Sequence, residues 1–382
     1  MVANPFIPTQ LVGRQAELQQ ICQILATDGD LLLAGIPGSG RRTLIRYAAQ
    51  QVEARLLDVD CLRATDSRRF LQLLAEAMMT AFDTPEELRL IQRWSLKQPI
   101  VLEQPLGGRA RLVWPLSTTD PWPIFTALLA LPQVMAEALN CRVVVVLQNV
   151  PHLRSWDRSE QWLTYLCQEF QHQSRVSYVL IATVAEGWAN QANLSIVLLP
   201  PLQPAELTPW LVECMAHQGL QFEAESQALN LLLDYVQGNL GDAIALARRI
   251  WLDHYASEAM QGCPNRPLAP AKQPLPENDL SLIQAHHVHR SALSLIEDLA
   301  LTFESLILLL PPSQVRVLES LALDPTDSPH AREYIQRHQL SRGGGLQGAL
   351  ASLQQKGLVY GPENGYRITM PMLALWLKHR LT

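Results

Sequence analysis

The stretch that decides the fold reads Leu31-Leu-Leu-Ala-Gly35-Ile-Pro-Gly-Ser-Gly40-Arg-Arg-Thr43. Its first four residues are apolar, and a run this short before a turn favours a buried strand over a helix. The glycines that follow suit a tight turn, because glycine adopts left-handed backbone conformations at little cost. Residues 42–52 read as a helix. A strand, a glycine-rich turn and a helix in this order form the setting in which backbone N–H groups can curl around an anion.

The spacing of Gly35 and Gly40 matches that of a phosphate-binding loop, GxxxxGK[ST]. Two side chains of that motif are different in this chain. Arg41 stands where lysine is expected, and Arg42 stands where the hydroxyl that binds magnesium is expected. Arginine is a wide planar fork and is not a neutral replacement for lysine inside the loop. Loss of the hydroxyl removes one magnesium ligand.

Two interpretations of this loop remain open. In the first, the backbone still binds the phosphates of ATP or ADP, magnesium binds weakly and hydrolysis is impaired. In the second, the segment is a glycine turn without a ligand. The first interpretation predicts these nucleotide-binding residues: Gly35, Pro37, Gly38, Ser39, Gly40, Arg41, Arg42 and Thr43.

The acidic motif of an ATPase is changed as well. In such enzymes a later strand ends in Asp-Glu, where the Asp holds the magnesium shell and the Glu activates water. Here the β-branched run 142–147 predicts that strand, and Gln148 and Asn149 follow it. Amides form hydrogen bonds, but they neither act as a base nor neutralise magnesium. The alternative is a buried strand and a polar loop with no catalytic role. The acids that could substitute are Glu103, Asp120 and Asp157.

The order of predicted elements indicates an α/β protein with further domains. Strands and helices alternate through residues 1–200, which predicts parallel βαβ units in a doubly wound sheet. Residues 201–258 are helical only and are predicted to form a small lid. Residues 259–279 read as a proline-rich linker, and residues 280–382 as a helix plus a second domain. Four of the predicted helices span 11–25, 156–171, 223–236 and 280–310.

Composition limits the classes of function. The chain has 382 residues, of which 48% are hydrophobic and 17% charged, so two or three globular domains are expected. A net charge of −6 does not favour nucleic acid, and DNA contact would need a local basic patch. The six cysteines lie far apart without a CxxC pair, which argues against a zinc site and a disulfide framework.

Metal binding and membrane insertion are both predicted to be absent. His286, His287 and His289 resemble a metal cluster, but no acidic or cysteine partner accompanies them, so they are interpreted as a solvated helix start. The N-terminus lacks the basic start and apolar run of a signal peptide. No uninterrupted apolar stretch reaches the ~18 residues of a membrane span. A cytoplasmic protein is therefore expected.

These segments together resemble the archaeal ATPase branch of the AAA+/STAND P-loop proteins, which is related to the Orc1/Cdc6-like initiators. The segment Leu11-Val-Gly-Arg-Gln-Ala-Glu-Leu18 is similar to the family's N-terminal box, which implies that Val12 and Arg14 lie beside the adenine. The strand before Thr183 resembles the family's sensor strand, which implies a sensor role for Thr183. The turn Gly238-Asn-Leu-Gly-Asp242 resembles the family's lid turn, and Arg248 follows it as a second candidate sensor. For Arg248 the alternative is a solvated helix face.

The C-terminal residues resemble the winged helix of the same family. A winged helix places its second helix in the major groove, here about residues 346–356. Arg342 and Lys356 are the candidate DNA contacts. The basic set is small and lacks the arginines that usually read guanine. The further residues that could contact phosphate are Arg332, Arg337 and His338.

The sequence therefore predicts an α/β P-loop NTPase fold, a helical lid and a C-terminal winged helix. Three functions remain open: a nucleotide switch or regulatory adaptor with weak or absent hydrolysis, a pseudo-ATPase scaffold for protein contacts, and a DNA-binding protein. A second protein is the expected partner, with DNA and self-assembly as further possibilities.

Overall fold

The structure, a computed structural model, describes residues 4–382 except 106, 116–119, 171–172, 186–193, 261–279, 342–343 and 362–364. Contacts within the chain divide it into two compact units. One unit contains residues 15–35 and 41–199. The other contains residues 1–14, 36–40 and 200–382.

The first unit is built on a five-stranded sheet in the order β2-β5-β6-β1-β7, in which all neighbouring strands are parallel. Two short strands, β3 and β4, pair antiparallel apart from it. The strands are β1 (Leu31–Gly35), β2 (Ala54–Asp60), β3 (Val101–Glu103), β4 (Arg111–Val113), β5 (Arg142–Gln148), β6 (Val176–Ala182) and β7 (Ser195–Leu199). The helices are α1 (Gln15–Ala26), α2 (Arg41–Gln51), α3 (Ser67–Ala81), α4 (Pro85–Ser95), α5 (Trp122–Leu139) and α6 (Gln161–Phe170).

The core of this unit lies on the central strands. Every residue of β1 and β6 is buried, as expected for parallel strands that helices cover on both faces. Aromatic rings fill the space beneath α3, α5 and α6, where Phe125 lies 4.5 Å from Trp162 between ring centroids and Phe70 lies 6.1 Å from Phe125. Large buried rings of this kind supply much of the apolar area that stabilises a core.

The helix α5 is the one helix among the described residues with the length and apolar composition to cross a membrane. Half of it is buried inside the protein. Its buried residues, including Phe125, Leu128 and Met135, belong to the core of the α/β unit. A core helix passes the same test, so the helix carries no argument for a membrane span.

The second unit is mainly helical, with one short parallel strand pair. Its strands are β8 (Leu220–Phe222) and β9 (Ser281–Ile283). Its helices are α7 (Pro204–His217), α8 (Ala228–Val236), α9 (Leu240–Met260), α10 (Ala285–Leu308), α11 (Pro312–Leu323), α12 (Arg332–Arg337), α13 (Gly344–Gln355) and α14 (Pro371–Leu381).

One buried cluster joins the predicted lid to the predicted winged helix. It contains Leu207, Leu232 and Leu246 from the lid helices and Leu318 and Leu350 from α11 and α13. The predicted boundaries at residues 200, 258 and 280 stay a prediction. Helix α9 continues to Met260, and the rest of the predicted linker lies outside the described residues. Near the C-terminus, an antiparallel bridge joins Val359 to Ile368.

Several element starts differ from the predictions for local reasons. The first helix begins at Gln15, not Leu11, because Gly13 and Arg14 have φ values of 62° and 65°. The helix predicted from 156 begins at Gln161, where Asp157 accepts backbone N–H bonds from the first helical turn. The helix predicted from residue 223 begins at Ala228, and the one predicted from residue 280 is preceded by β9.

Candidate functional site

Four of the side chains predicted from the sequence lie at one edge of the parallel sheet: Arg41, Arg42, Gln148 and Asn149. Strands β1, β2, β5 and β6 run in the same direction, so their carboxyl ends lie together. In open α/β sheets, ligands bind outside these carboxyl ends. Strand β2 pairs with β5 so that Asp58 is level with Val146 and Asp60 with Gln148.

The glycine-rich segment contains two residues with left-handed backbone. Gly38 and Gly40 have φ values of 85° and 84°, a left-handed conformation that other residues rarely adopt. The N–H of Ser39 donates to the carbonyl of Ile36 over 3.2 Å. The hydroxyl of Ser39 is buried and has no hydrogen-bond partner among the described residues. Helix α2 begins directly afterwards at Arg41, so a helix N-terminus follows the loop.

Arg41 has a partner on the neighbouring strand of its own unit. Its Nη1 donates to the carbonyl oxygen of Ala182, at the end of β6, over 3.0 Å. Burial lowers the pKa of the Arg41 guanidinium. The charge at the position of the motif's lysine is thus held against the sheet edge by a backbone carbonyl.

Arg42, at the position of the magnesium-binding hydroxyl, forms an ion pair with Asp58 of β2. Its Nε donates to Asp58 Oδ2 over 2.8 Å, and its Nη2 lies 2.7 Å from the same oxygen. The other oxygen of Asp58 accepts a hydrogen bond from Nε2 of Gln148, at the end of β5. One carboxylate therefore binds both of the side chains that replace magnesium ligands.

Asn149 is bound in a similar way by Asp60. Its Nδ2 donates to Asp60 Oδ1 over 2.9 Å, and the N–H of Leu62 donates to the same oxygen over 3.1 Å. The two amides that replace the catalytic acids are thus each tied to an aspartate of β2. Neither amide can act as a general base, since an amide nitrogen that donates cannot accept a proton.

The three acids named from the sequence as substitutes do not serve that role. Glu103 pairs with Arg111 across the β3–β4 hairpin at 2.8 Å. Asp120 accepts the N–H of Trp122, and Asp157 accepts backbone N–H groups at the start of α6. The acids at the sheet edge are Asp58 and Asp60. Their alternation at the end of β2 was the available signal, but its meaning depends on β2 being the neighbour of β5.

The lid turn contacts the tip of the phosphate loop, and both segments belong to the same unit. Nδ2 of Asn239 donates to the carbonyl of Pro37 over 3.1 Å, and the N–H of Gly241 donates to the carbonyl of Gly38 over 3.0 Å. A Cβ on Gly38 would overlap the carboxamide of Asn239. Asn239 was not predicted as a site residue.

The residues predicted to lie beside the adenine have partners in the lid. Val12 is buried in the core of the second unit. The N–H of Arg14 donates to Glu206 Oε1 over 3.1 Å, and its guanidinium donates to the carbonyl of Pro200. Their predicted contact with a base remains a prediction.

The two candidate sensors differ in exposure and position. Thr183 follows β6 at the carboxyl edge, as predicted for a sensor strand. Arg248 is exposed on α9, whereas its neighbour Arg249 pairs with Asp253 and Asp298. Their roles in sensing a nucleotide remain predictions.

Most of the basic residues proposed for DNA contact are tied to neighbours in the winged helix. Nζ of Lys356 donates to Gln314 Oε1 over 2.8 Å. Arg337 and His338 both contact the carboxylate of Asp324. Helix α13, which corresponds to the groove-reading helix, contains no charged residue. Arg342 lies outside the described residues.

Comparisons with known proteins match this architecture. A family model described as a probable winged helix domain matches residues 301–379. A Walker-type ATPase of Pyrococcus abyssi is 15% identical, with a TM-score of 0.63 over 96% of each chain. The Orc1 protein of Aeropyrum pernix, solved in complex with DNA, is 15% identical, with a TM-score of 0.48 over 98% of this chain and 96% of that one. Cdc6p of Pyrobaculum aerophilum is 14% identical, with a TM-score of 0.47 over 100% and 99%. No curated protein sequence matches this chain.

The likeness to the Pyrococcus abyssi ATPase and the winged-helix match confirm the predicted fold class. The chain has an α/β P-loop NTPase architecture with a parallel five-stranded sheet and a C-terminal winged helix. At this level of identity the likeness establishes the fold alone.

Proposed function

We propose that this chain is a regulatory AAA+-type protein that binds ATP or ADP through its phosphate loop without a catalytic magnesium ion, and that it does not turn nucleotide over at a useful rate. The observation that carries the proposal is the network at the carboxyl edge of the sheet. There Asp58 binds Arg42 and Gln148, and Asp60 binds Asn149.

Nucleotide binding is supported by the backbone of the loop. Gly38 and Gly40 have left-handed φ values, which also occur in the backbone turns whose N–H groups bind anions. The N-terminus of α2 adds a favourable dipole for an anion. The buried Ser39 hydroxyl, which lacks a partner among the described residues, is a further donor within the loop. These groups bind phosphate oxygens without a metal.

Loss of hydrolysis follows from the charges at the two magnesium positions. Magnesium needs oxygen ligands in near-octahedral geometry, and in these enzymes a hydroxyl and a carboxylate supply them. Here a guanidinium stands at the first position and a donating amide at the second. A cation at Arg42 also repels a divalent cation. Without magnesium, the reaction lacks the ion that in these enzymes neutralises the developing charge on the transferred phosphate, and neither amide can activate water.

A titration of ATP and of ADP, each in magnesium and in EDTA, tests the proposal. The expected dissociation constants differ by less than about threefold between the two conditions, because no magnesium bridge contributes to binding. Release of phosphate is expected to stay at the rate of a protein-free control. Binding that requires magnesium, or turnover above the control, would contradict the proposal.

A pseudo-ATPase scaffold is the second candidate, and the contacts of the loop favour it specifically. Arg41 is bound to the Ala182 carbonyl, and the carbonyls of Pro37 and Gly38 accept bonds from the lid turn. A loop satisfied by its own protein can support a binding surface without a ligand. For a scaffold of this kind, adding millimolar nucleotide should release no heat of binding and should not raise the melting temperature of the protein. The uncharged α13 favours a protein over DNA as the partner of the winged helix.

A further inference from the structure

The junction at which the chain passes from the lid into α10 is fixed by a short strand pair. Strand β9 pairs in parallel with β8, so that Leu220 is level with Ser281 and Phe222 with Ile283. The N–H of Ser281 donates to the carbonyl of Gly219, and the N–H of Glu223 donates to the carbonyl of Ile283, each over 3.0 Å. Helix α10 begins two residues after β9. Its first turn is therefore anchored to the lid by these bonds.

A histidine takes the place of the usual carboxylate at the start of this helix. In a capping box, the third helical residue reaches back to the backbone N–H of the N-cap residue, and Glu or Gln normally accepts that bond. Here the N-cap is Gln284, and its N–H donates to Nδ1 of His287 over 3.1 Å. An imidazole nitrogen accepts a hydrogen bond only when it carries no proton. The bond thus requires a neutral His287 with its proton on Nε2.

The surroundings of His287 also favour the neutral ring. The rings of His286 and His254 lie 3.9 Å and 6.1 Å from it between centroids, the latter from helix α9. Burial, His286, His254 and Arg290 together lower the pKa of His287, and Glu223 raises it by a smaller amount.

The three histidines and Arg290 line an open cavity of about 550 Å³. The other charged or polar residues that line this cavity are Asp253, Ser281 and Ser291. Asp253 is bound by Arg249 and by the hydroxyl of Ser291, and the carboxylate of Glu223 accepts a bond from Gln284 Nε2 over 3.3 Å.

We propose that this junction is an acid-sensitive link between the lid and the winged helix, in which protonation of His287 releases the first turn of α10. A proton on Nδ1 turns the acceptor into a donor, so the bond from the Gln284 N–H is lost. The new positive charge lies at a helix N-terminus, where the helix dipole opposes it, and beside Arg290. The link works through the fold alone and does not depend on nucleotide binding.

The direction of the pH dependence follows from proton linkage. In an opened first turn His287 has its ordinary pKa near 6.5, whereas in the closed turn its pKa is lower. Between these two values the opened state holds more protons, so falling pH favours opening. Above the ordinary pKa, the closed turn keeps its full stability relative to the opened turn. This stability decreases as pH falls towards the lowered pKa.

Hydrogen exchange of the full chain at pH 7.5 and pH 5.5 tests the proposal, with protection factors corrected for the intrinsic rate at each pH. In the wild type, the protection of amides 284–290 is expected to fall by more than about threefold at the lower pH, because the opened turn binds the proton more tightly than the closed turn. In His287→Gln the carboxamide accepts the same bond at both pH values. Its protection is expected to change by less than about twofold over that range.

Two further variants separate this mechanism from general acid destabilisation. His289→Gln removes a histidine from the same helix but leaves the N-cap bond in place, so it should lose protection as the wild type does. His287→Glu supplies a carboxylate that accepts the N-cap bond. If the glutamine variant folds poorly, this variant tests whether a different acceptor keeps the first turn protected at pH 5.5. The proposal is overturned if the wild type keeps its protection at pH 5.5. It is also overturned if both acceptor variants lose protection to the same extent as the wild type.

Discussion

The glycine loop and the carboxyl edge of the sheet differ in which features of the phosphate-loop motif they retain. In the loop, Gly38 and Gly40 have left-handed φ values of the kind found in anion-binding turns. At the sheet edge, Arg42 and Gln148 stand at the magnesium positions and are both bound to Asp58. Backbone donors bind phosphate without a metal, whereas transfer of the phosphate needs placed charges. Under the proposed function, this protein separates nucleotide binding from nucleotide chemistry.

The largest effect is expected when the backbone geometry of the loop is broken. Gly38→Ala introduces a Cβ at a φ of 85°, where it would overlap the carboxamide of Asn239. Strain and displacement of the lid turn together should lower the free energy of unfolding by about 3 kcal/mol and abolish nucleotide binding. Urea denaturation and nucleotide titration measure the two effects.

The matched control for this variant is Gly348→Ala in α13. A Cβ at Gly348 meets nothing within 4 Å, and alanine is the better helix former. This control should raise the free energy of unfolding by about 0.5–1 kcal/mol. If the two variants change the free energy of unfolding equally, the contact between Gly38 and Asn239 does not contribute to stability.

A buried carboxyl group in the lid turn, which contacts the glycine loop, should make the free energy of unfolding depend on pH. Burial raises the pKa of Asp242 to about 6, although a backbone N–H from Met372 opposes the shift. Between pH 4 and 6 the unfolded chain loses this proton first, so rising pH lowers the stability of the folded state. Asp242→Asn removes that titration, and it should gain about 2 kcal/mol relative to the wild type between pH 4 and pH 7.

Urea denaturation of wild type and Asp242→Asn across this pH range gives the difference directly. Asp234→Asn, which changes an exposed carboxylate of the same unit, is the control and should show no such trend. A difference between wild type and Asp242→Asn that stays constant from pH 4 to pH 7 would exclude the buried carboxylate as its source.

A smaller effect is expected when magnesium ligands are restored at the sheet edge. The double variant Arg42→Thr with Gln148→Asp replaces a cation by a hydroxyl and an amide by a carboxylate. Magnesium should then strengthen ATP binding by about tenfold, or about 1.4 kcal/mol, whereas in the wild type the change should be less than about threefold. Calorimetric titration measures both. If magnesium does not strengthen ATP binding to the double variant, the side chains at positions 42 and 148 do not explain why the wild type lacks magnesium-dependent binding.

The fold and the order of its motifs could be predicted from the sequence because both are encoded locally. The apolar run at residues 31–34, the glycine spacing and the β-branched run before Gln148 each carry their meaning in a few neighbouring residues. The winged helix was predicted from the resemblance of the C-terminal residues to the AAA+/STAND family, and the family model matches residues 301–379.

The partners of the site residues could not be predicted, because they depend on which strands are neighbours. Asp58 and Asp60 gain their roles only when β2 pairs with β5 in the observed register. Arg41 was predicted to bind phosphate, and its bond to Ala182 joins residues that are 141 positions apart. Asn239 lies in a turn that was recognised, but its contact with Pro37 joins the lid to a loop about 200 residues earlier.

The amides at the end of β5 also determine what kind of signal such a protein can carry. Neither Gln148 nor Asn149 can activate water, so under the proposed function a bound nucleotide leaves only by dissociating. An enzyme that hydrolyses its ligand measures elapsed time, since each cycle ends with the chemical step. This protein would instead act as a gauge at equilibrium, and its state would follow the ratio of ATP to ADP in its surroundings.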